Sequence, residues 1–322
     1  MTAADPRRKL LKRALRWLVT IAVVAMVGYF FAVTLARNWD DVAAADIGFD
    51  WTWVLSTLLF AGAVLVTGLL WGRLLRRLDG TRIAATEAMA VQTLSWLLKY
   101  VPGQVGSVVN KVLWAGKRGI SRTVVIISFV YENVLLLIAS LVPSTLILLL
   151  VLGVDLFGEN PVTLLVPLLA LIPLGLVMWK PFFHRMVNLA ARRTLKSEVP
   201  EEYFLSTPQT LASIAEFLLP RLVNAVGFVM LAATVTEVTP AEWLPFGAAY
   251  VLAGGVGLLA LFVPSGIGVR EAVIVLILSQ YTTTAQAIII ALLARLLSTL
   301  GDAVVALVYI ALRRTIPKET RP

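Results

Sequence analysis

The feature that most constrains this chain is the length of its apolar runs. Residues 51–72 read WTWVLSTLLFAGAVLVTGLLWG, and about 18 such residues in a row suffice to cross a hydrocarbon core of about 30 Å. In lipid each backbone N–H and C=O needs a partner close by, so only helices and closed barrels span. Barrel-type alternation of polar and apolar residues is absent, which excludes an outer-membrane barrel. The chain is therefore expected to be all-α and polytopic. Its composition agrees, with 59% apolar residues, 15% charged and a mean hydropathy of +0.87.

The placement of charge sets the topology. Six basic residues precede the first apolar run, four lie between Arg73 and Arg82, and three between Lys117 and Arg122. Five more lie between Lys180 and Lys196, and four follow from Arg313. The intervening loops carry acids instead: Asp40, Asp41, Asp46 and Asp50; Asp155 and Glu159; Glu237 and Glu242, with Arg37 as the exception. Basic loops stay in the cytoplasm, so both termini are expected inside a cell (plasma or inner) membrane. Spans are expected at 17–36, 51–72, 121–152, 161–180, 206–236 and 284–312. They form one transmembrane domain over 17–315, in halves 17–180 and 206–315. A basic cytoplasmic segment 1–16 precedes it and a tail 316–322 follows. A basic cytoplasmic linker 181–205 joins the halves, and its residues 182–205 read as an amphipathic surface helix, the alternative being a plain basic linker. The first run is too long for a signal-peptide core and reads as a retained anchor, the alternative being cleavage near Ala43 to Ala45.

Two further apolar stretches, 84–116 and 241–280, each begin and end on the same side by charge, the first in the cytoplasm and the second outside. Each is broken in its middle by a similar motif, KYVPGQVGSVVNK from Lys99 and LFVPSGIGVREA from Leu261. Proline removes a donor and stops a helix, while glycine permits a tight reversal. These stretches are expected to be two re-entrant helical hairpins, with tips at Pro102, Gly103 and Gly106 and at Pro264, Ser265, Gly266 and Gly268. A span, a hairpin and a span are then repeated in reverse orientation, an inverted repeat of the kind transporters use. The alternative is a pair of ordinary proline-kinked spans.

Five basic residues fall within apolar sequence: Lys99, Lys111, Arg221, Arg270 and Arg295. Four acids accompany them: Glu132, Glu216, Glu271 and Asp302. Each costs about 2.5–3.5 kcal/mol at mid-membrane, so they must be paired or hydrated. Ser107, Asn110 and Lys111 share a helix face by their spacing, as do Arg221 and Asn224, and Arg295, Thr299 and Asp302. Each outgoing hairpin arm turns a helix N-terminus toward the midplane, where its dipole and the nearby cations suit an anion such as phosphate. The candidate head-group contacts are Lys99, Ser107, Asn110, Lys111, Arg221, Arg270 and Arg295. Glu132, Glu271 and Asp302 are candidates for charge partners or proton carriers, with the structural role favoured. His184 reads as a solvated loop residue. Trp17, Trp39, Trp51, Trp53, Trp71, Trp179 and Trp243 flank spans, as interfacial belts do.

At these motifs the chain resembles the flippase-like membrane domain of lysylphosphatidylglycerol synthase, over residues 10–315. Lys99, Tyr100, Pro102, Gly103 and Lys111 match its first motif. Pro264, Gly266, Gly268, Arg270 and Glu271 match its second, and Arg295 the basic residue of its last span. Asn133 stands where arginine tends to follow the membrane glutamate Glu132, and Ser265 stands where glycine is common. The synthase's soluble aminoacyl-transferase domain has no counterpart before Pro322. The resemblance implies lipid translocation, not lipid aminoacylation.

The expected function is thus a flippase moving an anionic lipid, either a phospholipid or a polyprenyl-phosphate-linked carrier. A membrane glycosyl- or phosphotransferase and an accessory subunit of an envelope pathway are the alternatives. Against the enzyme stand the lack of an Asp-x-Asp metal pair, of a histidine cluster and of any cysteine. Against the scaffold stand the nine intramembrane charges. No P-loop occurs, and neither a metal, a cofactor nor a nucleic-acid partner is expected. The lipid, the energy source and the oligomeric state are not readable.

Overall fold

A computed structural model describes residues 49–100, 105–153, 175, 179–194, 199–260, 266 and 268–316. Among these residues there are nine α-helices and no strand. The expected span 17–36 and nearly all of 161–180 lie outside the described residues, as do Pro102, Gly103, Pro264 and Ser265 at the two expected tips.

Helix α1 (Trp51–Asp79) starts where the Asp50 carboxylate accepts the Thr52 N–H at 2.7 Å, a standard N-cap arrangement. It ends at Gly80, whose φ of 76° turns the chain while its N–H closes on the Arg76 carbonyl. The expected span stopped at 72, but the helix continues to Asp79. Arginines are good helix formers that suit a C-terminal turn, and Arg77 has a partner to reach. Helices α2 (Ala85–Leu97) and α3 (Val105–Arg118) follow, then α4 (Arg122–Leu152). The linker carries α5 (Lys180–Thr194). The second half contains α6 (Thr207–Ala232), α7 (Trp243–Leu259), α8 (Val269–Leu278) and α9 (Thr284–Thr315). Capping boxes start α6 and α9, Ser206 with Gln209 and Thr283 with Gln286. These satisfy first-turn N–H groups that lipid cannot.

Among the described residues five helices are long and apolar enough to cross a membrane: α1, α4, α6 and α7 each with the turn before it, and α9. The remaining arms α2, α3 and α8 have 13, 14 and 10 residues. At 1.5 Å per residue they reach only about 20, 21 and 15 Å.

Helices α2 and α3 form an antiparallel hairpin, and their cross-bonds give the register. Ser107 Oγ donates to the Ser95 carbonyl at 2.6 Å, Asn110 Nδ2 to the Val91 carbonyl at 3.2 Å, and Trp114 Nε1 to Glu87 at 3.0 Å. As the residue number rises on one arm it falls on the other. Helices α7 and α8 pair in the same sense. Gly257 meets Gly266 and Arg270 near the turn, and the Phe246 ring meets Tyr281 at the far end.

The inversion is visible where α1 crosses α6. Arg77 contacts Ser213 and Glu216, Phe60 touches Gly227, and Trp53 Nε1 donates to Thr234 at 2.9 Å. The leading helices of the two halves therefore run antiparallel. The packing also exchanges hairpins: α2 lies on α1 and on α9, while α7 lies on α6 and on α4. The fold is an interlocked inverted repeat with two hairpins.

Two cores result. One gathers Trp71, Leu74, Leu75, Trp114, Tyr131 and Phe183, and the other Phe60, Phe228, Phe246, Ile277 and Ile290 among others. Two expectations change here. Trp71 is no interfacial belt residue: it is fully buried, edge-on to Trp114 at 5.4 Å, with Nε1 donating to Ser128 Oγ at 3.0 Å. Length alone suggested a belt position, but α1 runs on past it. Nor is His184 a solvated loop residue. It lies in α5 against Phe204, and its ring contacts Asn188 and the Val199 carbonyl at 2.9 and 3.2 Å. By contrast Trp51, Trp179 and Trp243 are exposed, as flanking residues should be.

Candidate functional site

Between the two hairpins lies a cavity of about 200 Å³. Every long helix of the bundle and both hairpins contribute to its wall. From the first half come Ser95, Trp96 and Lys99 of the incoming arm, Ser107 and Lys111 of the outgoing arm, and Glu132 of α4. From the second half come Arg221 and Asn224 of α6, Tyr250 of α7, Arg270 of α8 and Asp302 of α9.

The intramembrane charges divide into two groups. Six of them close on one another. Lys111 is buried and pairs with Glu132, which also accepts from Gln92 Nε2 at 2.7 Å. The Lys111 ammonium sits 4.4 Å from the centre of the Trp71 ring, a geometry that favours a cation over a neutral group. Lys99 pairs with Asp302 at 2.8 Å, over the Trp96 ring at 4.1 Å, and Trp96 Nε1 donates to the same carboxylate at 2.7 Å. Arg295 meets Glu271 at 3.9 Å, and Glu271 also accepts the Gly268 N–H at 2.6 Å, closing the first turn of α8. All three pairs join residues of different elements, and Lys99 and Asp302 are 203 positions apart.

Arg221 and Arg270 are different. Among the described residues neither meets a carboxylate. Arg270 stacks over the Tyr250 ring at 5.4 Å. Arg221 makes one long contact, 3.4 Å to the Leu136 carbonyl, and its Nε is buried without a partner. A buried guanidinium donor left empty costs of order 1–3 kcal/mol, so the arrangement is primed for an acceptor that no described residue supplies.

Glycine makes the second tip fit. Gly266 adopts φ 62° and lies so close to α7 that an added Cβ would stand 2.8 Å from Gly257 Cα. A Cβ at Gly257 would stand 2.6 Å from Arg270 Cγ. The two glycines thus let the Arg270 stem thread between the arms and present its head to the cavity.

The remaining sequence candidates take other places. Asn110 is buried between the hairpin arms, bonded to Val91 and Ser95 (2.9 Å to Ser95 Oγ), and is not on the cavity wall. Ser107 lines the cavity while its hydroxyl is committed to Ser95. Arg295 borders a small adjoining recess beneath Arg270, with Glu271. Thr299 is exposed, so it does not share the buried side of Asp302. Gly106 lies in the first turn of α3. Glu216, placed among the intramembrane acids, makes a two-pronged contact with Arg77, 2.8 Å on each prong, joining the two halves.

Sequence reasoning missed Gln92, Ser95, Trp96 and Tyr250 on the wall, and Glu87 behind it. Glu87 is buried and receives both Trp114 Nε1 and the Arg118 guanidinium. One signal was available: Glu87, Gln92 and Ser95 are polar residues in the apolar arm of a hairpin, where each needs a partner.

Two antiparallel halves, each with a charged helical hairpin folded toward a shared interior cavity, define a class: a polytopic inverted-repeat protein of the transporter type of architecture. Comparison with protein families then places it. Residues 17–306 match the lysylphosphatidylglycerol synthase TM region, and the chain belongs to that membrane-embedded, lipid-related family. No match is found among curated proteins.

Proposed function

We propose that the protein moves an anionic lipid between the leaflets of a cell membrane. The head group would enter the cavity between the hairpins while the acyl or prenyl tails stay in lipid. The observation that carries this reading is the pair Arg221 and Arg270 on the cavity wall, the two cations there that no described carboxylate neutralises. The carboxylates that could serve as catalytic bases, Glu132 and Asp302, are both tied to lysines, which favours transport over chemistry. In this reading both termini are cytoplasmic and the hairpins enter from opposite faces. Contact between Arg77 and Glu216 supports it, because it brings the basic loop after α1 and the end of the basic linker to one side of the bundle. The working partner is a membrane lipid.

The test is leaflet exchange of fluorescent lipids in vesicles containing the purified protein. Wild type should exchange an anionic lipid. Arg221→Ala and Arg270→Ala should each slow exchange about tenfold or more, the loss expected for one charge-assisted contact. Failure of wild type to exchange any anionic lipid, or full rates in both variants, overturns the proposal.

A further inference from the structure

The charges on the cavity wall determine which anion fits. Four cations face it (Lys99, Lys111, Arg221 and Arg270) against two carboxylates (Glu132 and Asp302), an excess of two positive charges. The excess is not spread evenly. Each lysine of the first hairpin already holds a side-chain carboxylate, Glu132 of α4 and Asp302 of α9, so the anions on that side of the cavity are already matched. In the second half the corresponding space holds Arg270 and, beside it, Arg221, with no described carboxylate on either. The two guanidiniums line the same cavity. Like charges facing one cavity at low dielectric repel strongly, and a ligand relieves this fully only if it brings two negative charges.

Head groups differ in how much charge they bring. A phosphate diester carries one negative charge. A phosphate monoester carries about 1.5 to 2 at neutral pH, with a second pKa near 6, and three terminal oxygens for hydrogen bonds. Guanidiniums grip such oxygens in parallel pairs, which arginine does better than lysine. The cavity, about 200 Å³, has room for a phosphate head group.

We propose that this cavity selects a phosphate monoester head group over phosphodiester and zwitterionic ones, with Arg221 and Arg270 closing on its terminal oxygens. The selectivity concerns the cavity's own chemistry. Only the assignment of its natural source to a lipid rests on the transport reading.

The test is equilibrium binding to the full-length protein in detergent, read by calorimetry, with dihexanoyl phosphatidic acid and dihexanoyl phosphatidylglycerol as probes. At pH 7.5 wild type should bind the monoester about tenfold or more tighter, one charge-assisted contact being worth that much. Lowering the pH to 5.5 returns the second proton to most of the ligand. Monoester binding should then weaken about fourfold, and diester binding should not change. In Arg221→Gln and in Arg270→Gln the preference should shrink toward unity, while Arg270→Lys, which keeps the charge, should retain part of it. Equal affinity for the two probes in wild type, or an undiminished preference in both glutamine variants, overturns the inference. The wild-type comparison stands even if a variant fails to fold. Glycerol 3-phosphate and inorganic phosphate separate the sources. Tighter binding of the chain-bearing probe supports a lipid, whereas equal binding keeps the monoester site and refutes the lipid assignment. Exchange of phosphodiester lipid as fast as phosphatidic acid would leave transport standing and refute the selectivity.

Discussion

Removing the Glu132 charge tests how dry the interior is. Lys111 is 1% exposed and Glu132 4%, so the carboxylate that balances the ammonium is out of bulk water. Breaking such a pair from one side costs about 3–5 kcal/mol, because the remaining charge stays buried alone. Glu132→Gln keeps the shape and one acceptor for Gln92 but leaves Lys111 unbalanced, and Lys111→Met leaves Glu132 with Gln92 alone. Each single variant should lose about 3–5 kcal/mol, on the order of 10 °C in Tm for a chain this size. The double variant has no charge to strand and retains the volume, so it should lose only about 1 kcal/mol, for a coupling of about 5–9 kcal/mol. Thermal unfolding of the detergent-purified protein, followed by circular dichroism across the four proteins of the cycle, measures this. Single-variant losses under about 1 kcal/mol, the scale of solvated pairs, or strictly additive losses in the double variant would refute a buried, balancing ion pair.

Three further outcomes are expected. Gly266→Ala should be worse than Gly257→Ala: the first places a Cβ against backbone at a positive φ, while the second meets the Arg270 stem. The tip variant should lose about 1–3 kcal/mol on the same thermal assay, and similar losses would count against the tight turn. Arg77→Ala removes both prongs on Glu216 at a half-buried position and should cost about 1–2 kcal/mol, with Glu216→Gln losing a similar amount. A loss in one without the other would mean the contact does not form. Because the chain contains no cysteine, Leu59→Cys with Gly227→Cys introduces the sole pair. A Cβ at 227 lies 3.2 Å from Leu59 Cβ, close to disulfide range. Mild oxidation should cross-link it, detected by mass spectrometry of the digest, and no cross-link would argue against the antiparallel crossing of α1 and α6.

How much of this could be read from sequence depended on whether the cause was local. The long helices follow from runs that lipid forces into helix, and the hairpin arms from Pro–Gly breaks flanked by charge on one side. The pairing of charges was not legible, since the partner of Lys99 is 203 residues away and is chosen by how the second half docks. Spacing along a helix correctly grouped Arg221 with Asn224 on the cavity wall. It could not separate Asn110, which turns to the opposite arm, from Lys111, which turns to Glu132. Trp71 was misplaced because hydropathy marks where an apolar run ends and not where the helix ends, and the arginines after it stay helical.

The exchange of hairpins between halves has a consequence for biogenesis. The early arm carrying Trp96 and Lys99 finds its acidic counterpart on a helix made about 200 residues later. Until α9 is inserted, the contact with Asp302 cannot form. The central chamber therefore takes its final charge balance only as α9 threads into place, after the 203 positions that separate the two partners have been made.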